Sequence, residues 1–165
     1  MKPTVSIKKC PNYEPEEVYN NIKEAVDLLG GMSKFVKPGE RILLKPNLLA
    51  GREPEKAVTT HPAVVRAAIL LVKEAGGVPI VGDSSARGGT EKSARVAGLI
   101  EVTDSLGVEF VDLKTLVNIE NPDGLIFKRL QVAKEVLEVD GVINLPKLKT
   151  HVQMYLTLGV KNIFG

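Results

Sequence analysis

The chain has one cysteine, no tryptophan and few aromatic residues of any kind. With Cys10 alone among 165 residues, no internal disulfide and no CxxC metal or cluster motif can form. An aromatic content of 4% leaves few platforms for stacking bases. A net charge of +2 supplies no polybasic field, so nucleic acid is not an expected partner. No apolar run approaches the roughly twenty residues that a bilayer-spanning helix needs. The first residues, MKPTVSIKKCPNYEP, lack the apolar stretch of a signal peptide. No membrane span is expected, and the expected localisation is cytoplasmic.

What remains is an ordinary globular balance, 44% apolar and 25% charged, in a chain long enough to bury a core without staples. The pattern alternates strand with helix. Thr4–Lys8 alternates at period two and predicts a first strand near a sheet edge. Pro15 to Leu29 carries Val18, Ile22, Ala25, Val26 and Leu29 at helical spacing, with Glu16 and Glu17 favouring the N-terminal dipole and Gly30–Gly31 ending it. Arg41–Lys45 predicts a strand stopped by Pro46. A loop follows, then a helix for which Thr60 is the expected N-cap, with Pro62 in its first turn.

Val78–Val81 is a short buried strand leading into Gly82-Asp83-Ser84-Ser85. Thr90 to Gly98 and Ile100 to Leu106 predict two short helices, followed by a strand at Val108–Val111. Val117–Ile119 and Leu125–Phe127 flank Asn121-Pro122-Asp123-Gly124, which predicts a hairpin added to the main sheet. Lys134–Val139 is expected to be a short helix, Gly141–Leu145 the last strand, and the apolar tail from Val152 a packed helix. The fold class expected is α/β: a single domain over 1–165 with a mostly parallel sheet, helices on both faces in a Rossmann-like three-layer arrangement, and an added β-hairpin. The strands near 41–45, 78–82, 108–111 and 141–145 are expected to be parallel neighbours.

Polar residues gather where these strands end. DGVINLPKLKTH, from Asp140 to His151, is a buried strand opening into Asn144, Lys147, Lys149 and His151. Strand 41–45 ends in Lys45-Pro46-Asn47, and strand 78–82 in Asp83 and Ser84. His61 stands at a helix start, and Lys161-Asn162 lie in the tail. In an open parallel sheet ligands bind beyond the carboxyl ends of the strands. Taken singly, each residue has a plainer reading: Lys45 as a snorkelling lysine, the asparagines as turn formers, Asp83 as a cap, His61 as a solvated first-turn residue. Ser84 and Ser85 beside Gly88 and Gly89 do not match the spacing of a phosphate loop. Clustering carries the case, and the sharpest expectation is that His61, Asp83, Lys147 and His151 line one cavity together with Lys45.

RILLKPNLL, VTTHPAVVRA, GVPIVGDSSA, DGVINLPKLKTH and VKNIFG stand in the order and approximate spacing of the domain-of-unknown-function family 362 (DUF362), which the chain resembles from about Lys2 to Gly165. Many members of that family resemble iron–sulfur proteins because a ferredoxin-type module is attached. With Cys10 alone, this chain departs from that pattern. The resemblance implies a composite site and no settled reaction. It also implies a link to an iron–sulfur partner protein or to a further C-terminal region, with the chain as the N-terminal part of a longer protein. An exposed apolar patch or a homo-oligomeric contact is then expected over Leu156 to Phe164.

Lysines around a concave site favour a small anionic ligand, a carboxylate or phosphate. The residues expected to do chemistry are His151, Lys147 and Lys149, since crowded lysines lower one another's pKa. Those expected to bind are Lys45, Asn47, His61, Asp83, Ser84, Asn144, Lys161 and Asn162. Two other readings stand beside this one: a non-catalytic module for an anionic metabolite or cofactor, and a divalent-metal site of His61, His151 and Asp83. No cofactor is specified by the sequence.

Overall fold

The computed structural model describes residues 3–85, 88–151 and 155–163. In chain order the elements are α1 (Pro15–Asp27), β1 (Arg41–Pro46), α2 (Pro62–Glu74), β2 (Val78–Asp83), α3 (Thr90–Val96), α4 (Leu99–Ser105) and β3 (Glu109–Asp112). Then follow β4 (Leu116–Glu120), β5 (Arg129–Ala133), β6 (Gly141–Leu145), β7 (Lys149–His151), β8 (Tyr155–Thr157) and α5 (Gly159–Ile163). Short 3₁₀ turns occupy Met32–Lys34, Pro54–Lys56 and Lys134–Leu137.

Four strands form one all-parallel sheet in the order β3-β2-β1-β6. The chain walks outward from β1 to β3 and then returns to the other side of β1 as β6. The strand order therefore reverses between β1 and β6, and their carboxyl ends, Pro46 and Leu145, are direct register partners there. This is the crevice where open α/β sheets receive ligands.

One face of the sheet carries Ile42, Leu44 and Val81, which join Val65, Ile69 and Val72 of α2, Ala94 of α3 and Leu99 of α4 in a single core. α2 is buried on several sides because it lies between the sheet and α1, where Val18 meets Ala63 and Ala67. The other face carries Leu43 and Ile80, both buried. Gly82 of β2 lies between them and Val111: a Cβ there would stand 2.6 Å from Val111 Cγ2 and 3.1 Å from Leu43 Cδ1. The 3₁₀ turn at Lys134–Leu137 and helix α5 flank this face.

Four expectations need correction. Thr4–Lys8 is not a strand: Val5 and Ile7 are exposed, and Lys8 pairs with Glu24 of α1, so two apolar residues found no face to bury. The hairpin makes its own two-stranded sheet, and its second strand begins at Arg129. The Asn121–Gly124 turn does form, with Gly124 N–H donating to Asn121 O. Lys128 then donates to Pro122 O, which leaves Leu125, Ile126 and Phe127 exposed in the connecting loop.

The tail is not one helix. Residues 149–151 and 155–157 pair as an antiparallel ribbon before the short α5; Val152 and Phe164 lie outside the described residues. Leu156, Leu158, Val160 and Ile163 are exposed. Finally, the N-cap of α2 is His61, whose Nδ1 accepts the Ala63 N–H at 3.2 Å. Thr60 is otherwise engaged, as follows.

Candidate functional site

The crevice between β1 and β6 is held by side chains spread along the sequence from Lys45 to Asn162. Thr60 Oγ1 accepts the Asn47 N–H at 2.9 Å and donates to Leu145 O at 2.6 Å, tying the chain after β1 to the end of β6. The Asn162 amide shares its two protons among three acceptors: Lys45 O at 3.1 Å, Pro46 O at 3.3 Å and Asn144 Oδ1 at 2.7 Å. Asn144 in turn donates to Gly159 O at 2.9 Å. Helix α5 is thereby fastened across the point where the strand order reverses.

Lys45, on β1, donates to Asp83 Oδ1 at 2.5 Å, and both side chains are buried. Asp83 also accepts the Leu48 N–H at 2.6 Å and the Ser84 N–H at 2.9 Å. Three donors on one carboxylate compensate the cost of burying its charge. The pair positions the loop after β1 rather than adding much net stability.

The β7–β8 ribbon arches over this floor. Lys149 donates to Asn47 Oδ1 and, at 3.2 Å, to Val58 O, both uncharged acceptors. Burial, and then the nearby Lys161 charge, push the Lys149 ammonium below the usual lysine range, against a smaller opposing pull from Asp83. Thr157 Oγ1 donates to Lys149 O at 3.4 Å from the paired strand.

Between floor and ribbon lies a cavity of about 130 Å³. Nine of the residues expected at a site line it: Lys45, Asn47, Asp83, Ser84, Lys147, Lys149, His151, Lys161 and Asn162. Asn144 stands just behind, bonded to Asn162. His61 does not line the cavity, which corrects the expectation that both histidines meet there. Its Nδ1 is used as the α2 cap, and its ring stacks on Tyr13 at 3.8 Å between centroids with 14° between planes. Tyr13 then meets Lys147, whose Nζ lies 3.3 Å from the phenol oxygen. Burial first, and the Lys147 charge second, lower the His61 pKa.

The metal reading fails on the same geometry. Asp83 is committed to Lys45, His61 is turned to Tyr13, and among the described residues no three His, Cys, Asp or Glu side chains stand together as a ligand set. Sequence reasoning missed Tyr13, which sits in no periodic pattern, and the structural work of Thr60 and Thr157. For Thr60 the signal was present, since TTHP marks a helix start, but the capping role was assigned one residue early.

The family model described as Domain of unknown function (DUF362) matches residues 42–165. Thylakoid-associated protein sll1697 of Synechocystis sp. (strain ATCC 27184 / PCC 6803 / Kazusa) is 41% identical over 165 residues, which is 100% of this chain and 51% of that protein. The chain thus spans about half the length of the curated relative it matches. No solved structure matches. Among the described residues, no helix is long and apolar enough to cross a membrane.

Proposed function

The chain belongs to the domain-of-unknown-function family DUF362, and for it we propose that the cavity at the β1–β6 crevice binds a small anionic ligand, a carboxylate or a phosphate. One observation carries this reading. Four lysines line the cavity against a single carboxylate, Asp83, which Lys45 already occupies. Lys147 and Lys149 are held by uncharged oxygens of Tyr13, Asn47 and Val58. An anion entering the cavity would gain charge-assisted hydrogen bonds from Lys147 and Lys149, whose hydrogen-bond acceptors named above are uncharged.

An enzymatic role for the same site is supported by Lys149. A lysine whose pKa is lowered by burial and a like charge spends more time as the neutral amine, the form that accepts a proton or attacks a carbonyl. Lys147 and His151 share the cavity and are the further candidates for acid–base work. A redox role would need electrons from elsewhere, since a ferredoxin-type cluster takes four cysteines and this chain has one.

NMR titration of the protein with inorganic phosphate and with acetate, against chloride as control, tests the binding reading. We expect saturable shifts confined to the crevice, with millimolar or tighter affinity for at least one ion. Lys149→Ala or Lys161→Ala should weaken that affinity about tenfold or more. If neither ion perturbs the crevice of the wild-type protein, the anion reading is abandoned.

A further inference from the structure

A second cavity adjoins the first. It has a volume of about 690 Å³, lies under the β4–β5 hairpin, and is walled by Leu113, Leu116, Val132, Val142 and Ile163. Lys45, Asp83 and Ser84 line both cavities. Three of the apolar walls are only partly covered: Leu116 is 56% exposed, Val142 44% and Ile163 66%. The volume is in the range of pockets that hold whole small ligands, whereas the lysine cavity has room for little more than a head group.

Resting on the anion-binding reading above, we propose that the ligand is an amphiphilic anion. Its carboxylate or phosphate head sits among Lys147, Lys149 and Lys161, and its apolar body lies along Leu116, Val142 and Ile163. Lys147, Lys149 and Lys161 line the smaller cavity alone and Leu116, Val142 and Ile163 the larger alone, with the buried Lys45–Asp83 pair shared between them, an arrangement that suits a molecule with one charged end. The larger cavity also carries Ser85, Lys114, Gln131 and Asn144, but half of its lining residues are apolar, and a purely polar anion such as a sugar phosphate would leave those unmatched. A peptide segment is the less suitable occupant, since the lysine cavity beside it calls for a concentrated negative charge rather than backbone amides.

A homologous series tests this directly. The 165-residue protein is titrated with inorganic phosphate, then ethyl, butyl and hexyl phosphate, each below its micellar concentration. Affinity is expected to rise about fourfold per added methylene once the chain reaches the larger cavity, the increment for burying one CH₂. The double variant Val142→Ser/Leu116→Ser alters two partly exposed side chains. It should bind inorganic phosphate as wild type does while losing most of the dependence on chain length. Lys149→Ala should weaken the whole series.

Phosphate binding without any chain-length dependence overturns the amphiphile and leaves the anion reading standing. Chain-length dependence that survives in the double variant places the tail elsewhere and overturns it too. Failure of every member, inorganic phosphate included, overturns this inference, and failure of acetate as well removes the anion reading with it.

Discussion

The two faces of the parallel sheet are built from neighbouring residues of the same strands, yet they do different things. Ile42, Leu44 and Val81 point into a continuous core beneath α2, α3 and α4, where nearly every side chain is buried. Leu43 and Ile80 on the opposite face are equally buried at the centre, but toward β6 that face opens, and Val142 borders the larger cavity half uncovered. Parallel sheets are ordinarily covered on both faces, and here the second is covered only in part. The second face is then available for shape, and here it borders both the hairpin and the lysine cluster.

The strongest test of that division compares one residue from each face. Leu44→Ala removes a side chain from the closed core and is expected to cost about 2–5 kcal/mol of stability. Val142→Ala, on the open side, should cost less than about 1 kcal/mol. Urea unfolding of the two variants measures both, and equal losses would erase the distinction between the faces.

A smaller effect is expected at Gly82. Its missing Cβ lets Val111 and Leu43 close over the strand, so Gly82→Ala should cost about 1–3 kcal/mol by overpacking. That result would sharpen the comparison, because it would show the second face tight at β2 and loose only near β6. A neutral Gly82→Ala variant would instead mean that the whole face is slack.

The smallest effect concerns His61, which caps a helix of the packed face yet touches Lys147 through Tyr13. Its pKa is lowered in the folded protein, so the unfolded chain binds this proton more readily. The native state should therefore lose stability as pH falls from about 6.5 through the folded pKa, and regain it on the way back up. His61→Asn keeps a capping acceptor and removes the titration. Unfolding wild type and variant at about pH 7.5 and about pH 5 should show wild type losing ground relative to the variant only in acid. A difference between the two proteins that does not change with pH would detach His61 from the cavity's charge.

Much of this architecture was legible because parallel strands announce themselves. Ile42–Leu44 and Pro79–Val81 are short apolar runs closed by proline or glycine, and the strand-end rule then gathers Lys45, Asp83 and Lys149 without knowledge of any contact. The ribbon of β7 and β8 was not legible: Lys149-Thr150-His151 has no apolar alternation, and its pairing is fixed by tertiary position. His61 was misplaced because a helix start offers an imidazole two uses, and the Ala63 N–H claimed its nitrogen. In the hairpin the turn was read correctly, but the strand was not. Leu125–Phe127 has strong β propensity, and the ladder, closed by the Glu120–Arg129 pair, simply starts beyond it.

The amide of Asn162 has a consequence for the order in which the crevice can be assembled. Lys45 meets Asp83 across 38 residues of chain, but it meets Asn162 across 117. Closing the longer loop costs roughly 1 kcal/mol more in chain entropy, and it needs β6 already in place to supply Asn144. The sheet from β1 to β3 can therefore pair before the clamp exists, whereas the lysine cavity cannot. Formation of that cavity is in this sense a property of widely separated parts of the chain, a sign that its most distant described segments have met.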